Sequence, residues 1–333
     1  MPPSRSLTKK SNSALPRKVD IGPAVLVIAG PTASGKTALL ERLCGHSEAL
    51  PKIEVVSADS MQVYRGMDIG TAKPSPALQK KLPHHLIDIR DPDEQFNAGD
   101  FVRLADEACA AVYARGAVPV VSGGTGFYLK NFIYGLSCAP PSGLYTREAL
   151  KAELRERGAD ALVRELAALD PESAQKIHPN DSYRLLRALE LCRVSGRARS
   201  AFPLREEPRA AYRFIIAGIK REREDLYRRV DRRCREMFAA GLAGEASALF
   251  KKGYTPDDAG MRAIGYREFF VRNEDDTAWR LSEDLEGVER LVARNSRRYV
   301  KRQLTFFLRM PGITWIDGDD VTALRGLLRS AAA

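Results

Sequence analysis

The sequence predicts an α/β protein built around a parallel sheet, and two observations lead to this prediction. Short apolar runs rich in β-branched residues recur at 24–29 (AVLVIA), 53–58 (IEVVSA) and 117–123 (AVPVVSG), as expected of strands buried on both faces of a sheet. Helical patterns separate these runs, as they do in strand-helix-strand units. Because parallel strands end at the same edge, the polar residues after each run should meet where ligands bind in such folds.

The first strand is followed by GPTASGKT at residues 30–37, which has the spacing Gly-x-x-x-x-Gly-Lys-Thr. Gly30 and Gly35 allow the backbone N–H groups to turn inward, Lys36 supplies a cation, and Thr37 supplies a hydroxyl for Mg²⁺. This pattern is typical of a P-loop, so we predict a core like that of P-loop nucleoside triphosphate hydrolases with Mg²⁺ as cofactor. The phosphate-binding residues are Gly30, Pro31, Thr32, Ala33, Ser34, Gly35, Lys36 and Thr37, with Thr37 as the metal ligand.

The second and third strands are joined by a segment with helical periodicity, GDFVRLADEACAAVYARG. Its apolar side chains Phe101, Ala105, Ala108 and Val112 fall on one face, and Gly116 provides a normal helix stop. Before this helix, LIDI at 86–89 is strand-like in composition.

From about residue 138 the pattern changes, because charged helical segments at 146–157, 160–169 and 181–195 follow a Pro-rich break without a strand-like run. YRFIIAGI at 212–219 is strand-like again, and a helix begins near Arg223. We therefore predict a disordered basic lead-in at 1–19, a core domain made of 20–137 and 208–333, and a helical insertion domain at 138–207.

Composition narrows the classes of protein. With 333 residues, 44% hydrophobic and 29% charged, the chain is typical of an ordinary globular protein, and its formal charge of +10 favours a polyanionic partner. Five cysteines without a Cys-x-x-Cys pair argue against a zinc site or a disulfide framework. The apolar runs fall short of the ~20 residues that span a bilayer, so we expect a cytoplasmic protein without a membrane segment.

The P-loop specifies a ligand group but leaves several functions open. An Asn-Lys-x-Asp stretch that would read guanine is absent, which disfavours a GTPase. A small-molecule kinase fits the first 40 residues equally well, and an RNA-binding protein that senses a nucleotide is a further alternative. The run DSMQVYRGMDIGTAKP at 59–74, directly after the second strand, is where the sequence becomes more specific.

That run, together with the P-loop, closely resembles the tRNA dimethylallyltransferases, which attach an isopentenyl group to the adenosine 3′ of the anticodon. Five further blocks match in order: HHLIDIRDPDEQFNAGDF (84–101), GGTGFYLKNFIYGL (123–136), IHPNDSYRLLRALE (177–190), MRAIGYRE (261–268) and RRYVKRQLTFF (297–307). The chain departs from the usual pattern at Gly126 and Phe127, where an aliphatic residue is common. It lacks the zinc-finger tail of eukaryotic relatives, so the resemblance is to the bacterial type.

The resemblance implies transfer of the dimethylallyl group from dimethylallyl diphosphate to N6 of that adenosine, with diphosphate as leaving group in the P-loop. Asp59 would be the general base; the alternative is that it holds Mg²⁺ through water. Thr125 would point its hydroxyl at the diphosphate or its metal. Arg229 and Arg233 lie four apart on a helix, so either could reach the diphosphate, and the family pattern favours Arg229 as the third catalytic residue.

The expected polyanionic partner is the anticodon stem-loop of tRNA, bound by a monomer. Residues 290–309 contain seven basic residues and no acidic one, with Arg290, Arg294, Arg297 and Lys301 in a stripe; a solvated charged helix is the alternative. The target base must leave its stack, so we expect a channel between core and insertion. The predicted tRNA-binding residues are Ser60, Met61, Gln62, Tyr183, Arg184, Leu185, Leu186, Arg187, Arg262, Gly265, Tyr266, Arg267, Arg294, Arg297, Lys301 and Gln303.

Overall fold

A computed structural model describes residues 22–44, 50–140, 143–202 and 205–332; the predicted lead-in at 1–19 lies outside them. The strands are β1 (Ala24–Ala29), β2 (Ile53–Ser57), β3 (His84–His85), β4 (Val118–Gly123), β5 (Arg213–Lys220), β6 (Phe270–Arg272), β7 (Trp279–Leu281) and β8 (Thr314–Asp317). The helices are α1 (Lys36–Cys44), α2 (Pro76–Lys81), α3 (Ala98–Ala114), α4 (Gly126–Tyr134), α5 (Leu144–Leu169), α6 (Pro171–Lys176), α7 (Ser182–Ser195), α8 (Arg223–Ala239), α9 (Leu242–Lys251), α10 (Leu285–Phe307) and α11 (Val321–Ala332).

Six strands form one parallel sheet in the order β3-β2-β4-β1-β5-β8, which confirms the predicted α/β class. The central strand β1 is buried along its whole length, since its apolar side chains meet helices on both faces of the sheet. Parallel pairing brings the carboxyl ends of β1, β2 and β4 together. The P-loop, Asp59 and Thr125 follow these three ends, so the strand order alone gathers them at one edge.

Helix α3 follows the predicted pattern closely. Phe101, Ala105, Ala108 and Val112 are all buried against the sheet. Asn97 begins the helix with a capping box, in which its side chain accepts from the N–H of Asp100 while the Asp100 side chain accepts from the N–H of Asn97. Gly116 follows the end of the helix with a φ of +70°, a left-handed conformation that glycine adopts without strain.

The strand-like appearance of residues 86–89 was misleading. The short strand β3 ends at His85, because Leu86 and Asp88 adopt positive φ values of 62° and 56° that are incompatible with an extended strand. The chain instead runs beside the segment after β2, where the N–H of Ile89 donates to the carbonyl of Val63.

Residues 144–201 contain helices α5, α6 and α7 and a short 3-10 turn. The predicted helices at 146–157 and 160–169 form the two halves of α5, which bends at Gly158. Arg193 of α7 bridges the halves by ion pairs to Glu153 and Glu165. The segment has a core of its own, made of Leu150, Leu162, Leu166, Leu185, Leu186, Ala188, Leu189 and Cys192.

Helices α8 and α10 pack against each other and complete the edge of the sheet that carries the P-loop. Their buried residues Val230, Cys234, Val292 and Val300 belong to a second apolar cluster. Among the described residues, the helices are all too short or too polar to cross a membrane.

Candidate active site

The P-loop connects β1 to α1 and is held in shape by its own side chains. Lys36 Nζ donates to the carbonyl oxygens of Gly30 and Pro31, both at 2.9 Å. Gly35 has a φ of +96°, which turns the backbone into the start of α1. A second support comes from α10, where Gln303 Oε1 accepts from the N–H of Thr32 at 2.9 Å.

The loop forms one side of a cavity of about 330 Å³, which we call the loop cavity. The opposite side is helix α8, which presents Arg229, Arg232 and Arg233. With Lys36 these make four cations around the cavity, against the two carboxylates of Asp59 and Glu236. An excess of positive charge beside inward backbone N–H groups is suited to a phosphate-bearing ligand.

A neighbouring cavity of about 300 Å³ differs in its lining, and we call it the apolar cavity. Its apolar side consists of Met61, Val230, Cys234, Met237 and Val292. Its polar side is formed by residues of three segments. These are Asp59, Ser60 and Thr71 after β2, Arg262 and Arg267 in the segment 262–267, and Ser296 and Arg302 of α10. A mostly hydrophobic pocket with a few directed polar groups is the usual form of a small-molecule site.

The two cavities share four lining residues, Thr32, Asp59, Arg233 and Tyr299. These residues therefore mark the junction at which a group held in one cavity faces a group held in the other. Three of them carry functional groups suited to chemistry: a carboxylate, a guanidinium and a phenol.

Asp59 is fixed at the junction by backbone hydrogen bonds to one of its two oxygens. Oδ1 accepts from the N–H groups of Met61 at 2.9 Å and Gln62 at 3.3 Å. Within the described ranges, Oδ2 accepts no hydrogen bond from another residue. The carboxylate is thus oriented through one oxygen, and the other is available to a ligand.

Thr125 and Tyr299 connect the loops around Asp59. Thr125 Oγ1 accepts from the N–H of Ser60 at 3.0 Å, so it ties the turn after β4 to the segment after β2. Burial, together with the nearby Asp59 carboxylate, raises the pKa of the Tyr299 phenol to about 12, and the side chains of Thr125 and Gln303 oppose this shift. Tyr299 was missed by sequence reasoning; the only signal is its place four residues before Gln303 on the same helix face.

Burial lowers the pKa values of the two cations at the junction side of the loop cavity. The pKa of Lys36 falls from its usual value to about 8, because burial disfavours the charged amine more than the nearby Asp59 carboxylate favours it. Burial likewise lowers the pKa of Arg233, again opposed by Asp59. An incoming anion would reverse this trend by stabilising both charges.

The two candidate arginines of α8 have different environments. Arg229 lines the loop cavity only, and its Nε donates to Asp225 at 2.8 Å. Arg233 lines both cavities and donates to the carbonyl of Thr71 at 3.4 Å. Position therefore favours Arg233 for a role at the junction and Arg229 for a role at the loop.

Several residues predicted to contact tRNA lie in the interior. Leu185 and Leu186 pack in the core of the helical segment, and Gly265 and Tyr266 are buried beside the segment after β2. Gln303 is buried, and its amide bonds to Thr32 and to the carbonyl of Gly124. In this structure these residues serve packing and loop support, and their predicted contact with tRNA stays a prediction.

The remaining predicted tRNA contacts fall into two groups. The exposed ones are Tyr183, Arg184, Arg262, Arg267, Arg294 and Lys301. The others are engaged within the protein: Arg187 pairs with Glu190, Arg297 pairs with Asp231, and the Gln62 amide bonds to Ser57, Thr71 and Ala72. Ser60 and Met61 are partly buried at the apolar cavity.

Residues 62–310 match the model of the family described as IPP transferase. The chain is 45% identical to the tRNA dimethylallyltransferase of Geobacter sulfurreducens, over 88% of this chain and 91% of that protein. Among solved structures, the full-length tRNA isopentenylpyrophosphate transferase of Bacillus halodurans is similar at 35% identity with a TM-score of 0.63, covering 93% of this chain and 96% of that one. The tRNA isopentenylpyrophosphate transferase of Staphylococcus epidermidis is similar at 33% identity with a TM-score of 0.61, covering 92% and 98%. These matches confirm the resemblance seen in the sequence blocks, and the chain belongs to the IPP transferase family.

Proposed function

We propose that the chain transfers the dimethylallyl group of dimethylallyl diphosphate to N6 of the adenosine 3′ of the anticodon in tRNA, releasing diphosphate. The family and the activity named for its relatives support this reaction. The observation that carries the proposal is the junction: a cationic cavity at the P-loop and a largely apolar cavity meet at Asp59. An allylic diphosphate needs a cationic site for its diphosphate and an apolar site for its hydrocarbon group. The attacking nitrogen needs a base beside the allylic carbon, which lies where the two sites meet.

In this proposal the loop cavity binds the diphosphate. Its backbone N–H groups, Lys36, Arg229 and Arg233 face the oxygens on which negative charge grows as the allylic C–O bond breaks. Preorganised donors placed where charge develops lower the barrier without having to reorganise. The dimethylallyl group then extends past Asp59 toward the apolar side formed by Val230 and Met237.

The residues at the P-loop are compatible with Mg²⁺. Thr37 and Asp59 both line the loop cavity, and Mg²⁺ in phosphate sites commonly takes one or two protein ligands, the rest being phosphate oxygens and water. Thr37 and Asp59 would hold Mg²⁺ there together with diphosphate oxygens and water. When bound, Mg²⁺ would offset the negative charge of the leaving group.

Asp59 acts as the general base. The adenine N6 lone pair is delocalised into the ring, so removing its proton as the new N–C bond forms lowers the barrier, by ~10² to 10⁴ in rate for typical cases. One carboxylate oxygen is held by two backbone N–H groups, which leaves Oδ2 to receive the proton. The alternative role, holding Mg²⁺ through water, uses the same oxygen and is separated from the first by the variants discussed below.

The anticodon stem-loop approaches the polar side of the apolar cavity, with the target base out of its stack. Exposed basic residues line the cavity there, namely Arg262, Arg267 and Arg302, and further exposed basic residues, Arg294, Arg298 and Lys301, lie along α10 outside the cavity. We propose that the helical segment 138–207 forms the insertion domain and contacts the RNA through Tyr183 and Arg184, whose side chains are exposed.

A two-label assay tests the proposed function. The protein is incubated with labelled dimethylallyl diphosphate and unmodified tRNA, and separately with labelled ATP and the same tRNA. We expect the isoprenoid label to enter tRNA and the ATP label to stay in ATP. Transfer from ATP with none from the isoprenoid would establish a kinase instead, and binding of tRNA without transfer of either label would favour an RNA-binding protein.

A further inference from the structure

The carboxylate of Glu245, on α9, accepts hydrogen bonds from four groups that belong to two separate segments. Three are backbone N–H groups of the segment after β2: Asp68 at 2.9 Å, Ile69 at 2.9 Å and Gly70 at 3.1 Å. The fourth is the Tyr266 hydroxyl, which donates to Oε1 at 2.6 Å. Glu245 itself lines neither of the two cavities.

Both segments contribute to the lining of the apolar cavity. Gly70 and Thr71 line it from the segment after β2, which begins at Asp59. Residues 262–264 and Arg267 line it from the segment that contains Tyr266. Glu245 therefore lies behind the cavity and links two of its walls through direct hydrogen bonds.

The contact between the walls is close. A Cβ placed on Gly70 would lie 2.5 Å from the Tyr266 ring, so the ring rests directly on the glycine backbone. Gly265, beside Tyr266, has a φ of +100°, which brings the 265–266 backbone alongside Gly70. Tyr266 is fully buried, and burial next to Glu245 strongly raises the pKa of its phenol, so it remains a hydrogen-bond donor.

Each segment also has an anchor of its own. Lys73, which has only 4% of its side chain exposed, donates to the carbonyl of Tyr64 and pairs with Asp68 and Asp88, which shapes the segment after β2. Glu268 accepts from the N–H of Gly265 at 2.8 Å and from Asn295 of α10 at 2.8 Å. These anchors hold each wall in place separately, whereas Glu245 links the two walls to each other.

The chemistry of the cluster requires a carboxylate. An ionised carboxylate only accepts hydrogen bonds and has about four lone-pair sites, which matches four donors. Glutamine has the same shape, but its NH₂ group would face backbone N–H donors, so at least one of them would lose its partner.

We infer that Glu245 is a positioning residue for the transfer reaction. It sets the spacing between the Asp59–Lys73 segment and the 262–267 segment, and thereby positions the nucleoside bound in the apolar cavity relative to the diphosphate bound in the loop cavity. This inference rests on the proposed function. Because Glu245 does not touch the loop cavity, its loss should disturb the attack geometry and leave diphosphate binding intact.

The test compares Glu245→Gln and Tyr266→Phe with the wild type and with Glu107→Gln as the matched control. Glu107 lies on α3, lines neither cavity, and pairs with Arg103 in solvent. A misplacement of about 1 Å can cost ~10² in rate, so Glu245→Gln should lower kcat by roughly 10- to 100-fold. The dissociation constant of inorganic diphosphate should stay within about twofold, as a change confined to the other cavity requires. Tyr266→Phe keeps the ring on Gly70 and loses one of the four bonds, so its effect should have the same direction and be smaller.

Three results would overturn the inference. One is a Glu245→Gln variant whose kcat equals that of the control. The second is a Glu245→Gln variant that loses diphosphate affinity and kcat in parallel. The third is a Glu245→Gln variant that no longer shows a cooperative melting transition. Either the second or the third result would make Glu245 a general stabiliser of the fold. The wild type decides the proposed function separately: if it transfers no dimethylallyl group, that function fails and the inference fails with it, whereas an active wild type with an equally active variant refutes the inference alone.

Discussion

The loop cavity and the apolar cavity meet at Asp59 but are built in different ways. One side of the loop cavity is a contiguous stretch, Gly30–Thr37, shaped largely by its own backbone and by Lys36. The apolar cavity is assembled from the segment after β2, α8, residues 262–267 and α10, whose lining residues Asp59 and Arg302 lie 243 positions apart in the chain. The P-loop is thus encoded locally, whereas the α8 side of the loop cavity and the whole apolar cavity exist only after the helices have packed.

The same difference predicts how the two sites respond to substitution. Changes at the P-loop should act through the diphosphate, on its affinity and on the stabilisation of its charge as it leaves, because apart from Thr32 the loop lines only the loop cavity. Changes around the apolar cavity should act on turnover, because they move groups relative to one another. Residues at the junction should affect the reaction most, since both sites depend on them.

The largest effect is expected from Asp59→Asn, which keeps the Oδ1 acceptor for Met61 and Gln62 and removes the base. Turnover should fall by ~10² or more while tRNA and diphosphate affinities change little. Rates at saturating substrates, together with equilibrium binding of each substrate, check this, with the exposed Asp275→Asn as control. If diphosphate affinity falls together with the rate and extra Mg²⁺ restores both, Asp59 holds the metal instead.

The next largest effect on the reaction is expected from Arg233→Gln, which we compare with Arg229→Gln. Arg233 lines both cavities and Arg229 only the loop cavity, so loss of Arg233 should impair both diphosphate binding and kcat, by roughly 10- to 100-fold for a charged hydrogen-bonding group. Loss of Arg229 should raise the KM for dimethylallyl diphosphate with a smaller change in kcat. Steady-state kinetics of the two variants measure the difference, and the reverse ranking would return the main role to Arg229.

What could be predicted from the sequence follows the same difference between features set by neighbouring residues and features assembled from distant segments. The P-loop, the α3 face with Phe101 and the strand-end position of Asp59 were predictable because neighbours in sequence determine them. Tyr299 and Glu245 could not be found this way, since their partners come from distant segments. Leu186 and Gln303 were assigned to tRNA by membership of a family block, which cannot distinguish a residue that binds RNA from one that supports its neighbours.

A smaller effect is expected on RNA affinity from the stripe on α10. Arg294 and Lys301 are exposed, whereas Arg297 pairs with Asp231. Replacing both exposed residues by alanine should lower the slope of log Kd against log salt by roughly 0.7 to 0.9 per lost phosphate contact, with diphosphate affinity unchanged. Binding titrations at several salt concentrations measure the slope. Arg297→Ala should leave it nearly unchanged, and a slope that is unaltered in the double variant would transfer the main contacts to the helical segment around Arg184.

The smallest effect concerns pH and the loop cavity alone. The pKa of Lys36 is lowered to about 8 in the free protein, and the diphosphate must bind the protonated amine. Affinity should therefore be full well below pH 8, fall to about half at pH 8, and fall about a further fivefold between pH 8 and 9. Titrations with inorganic diphosphate across this range test the sign, and Lys36→Arg should abolish the decline because arginine stays charged. An affinity that rises with pH would contradict the environment described for Lys36.

The central claim is that both cavities act on one molecule, so that the bond broken in the loop cavity and the bond formed at the apolar cavity belong to a single event. The most direct test quantifies both products in the same reaction: diphosphate released, and N6-(dimethylallyl)adenosine in the digested tRNA. We predict equal amounts of the two products at every time point, with no diphosphate released when tRNA is omitted, and a matched decline of both in Asp59→Asn. Release of diphosphate without modified adenosine would show that the loop cavity works alone and would contradict the account.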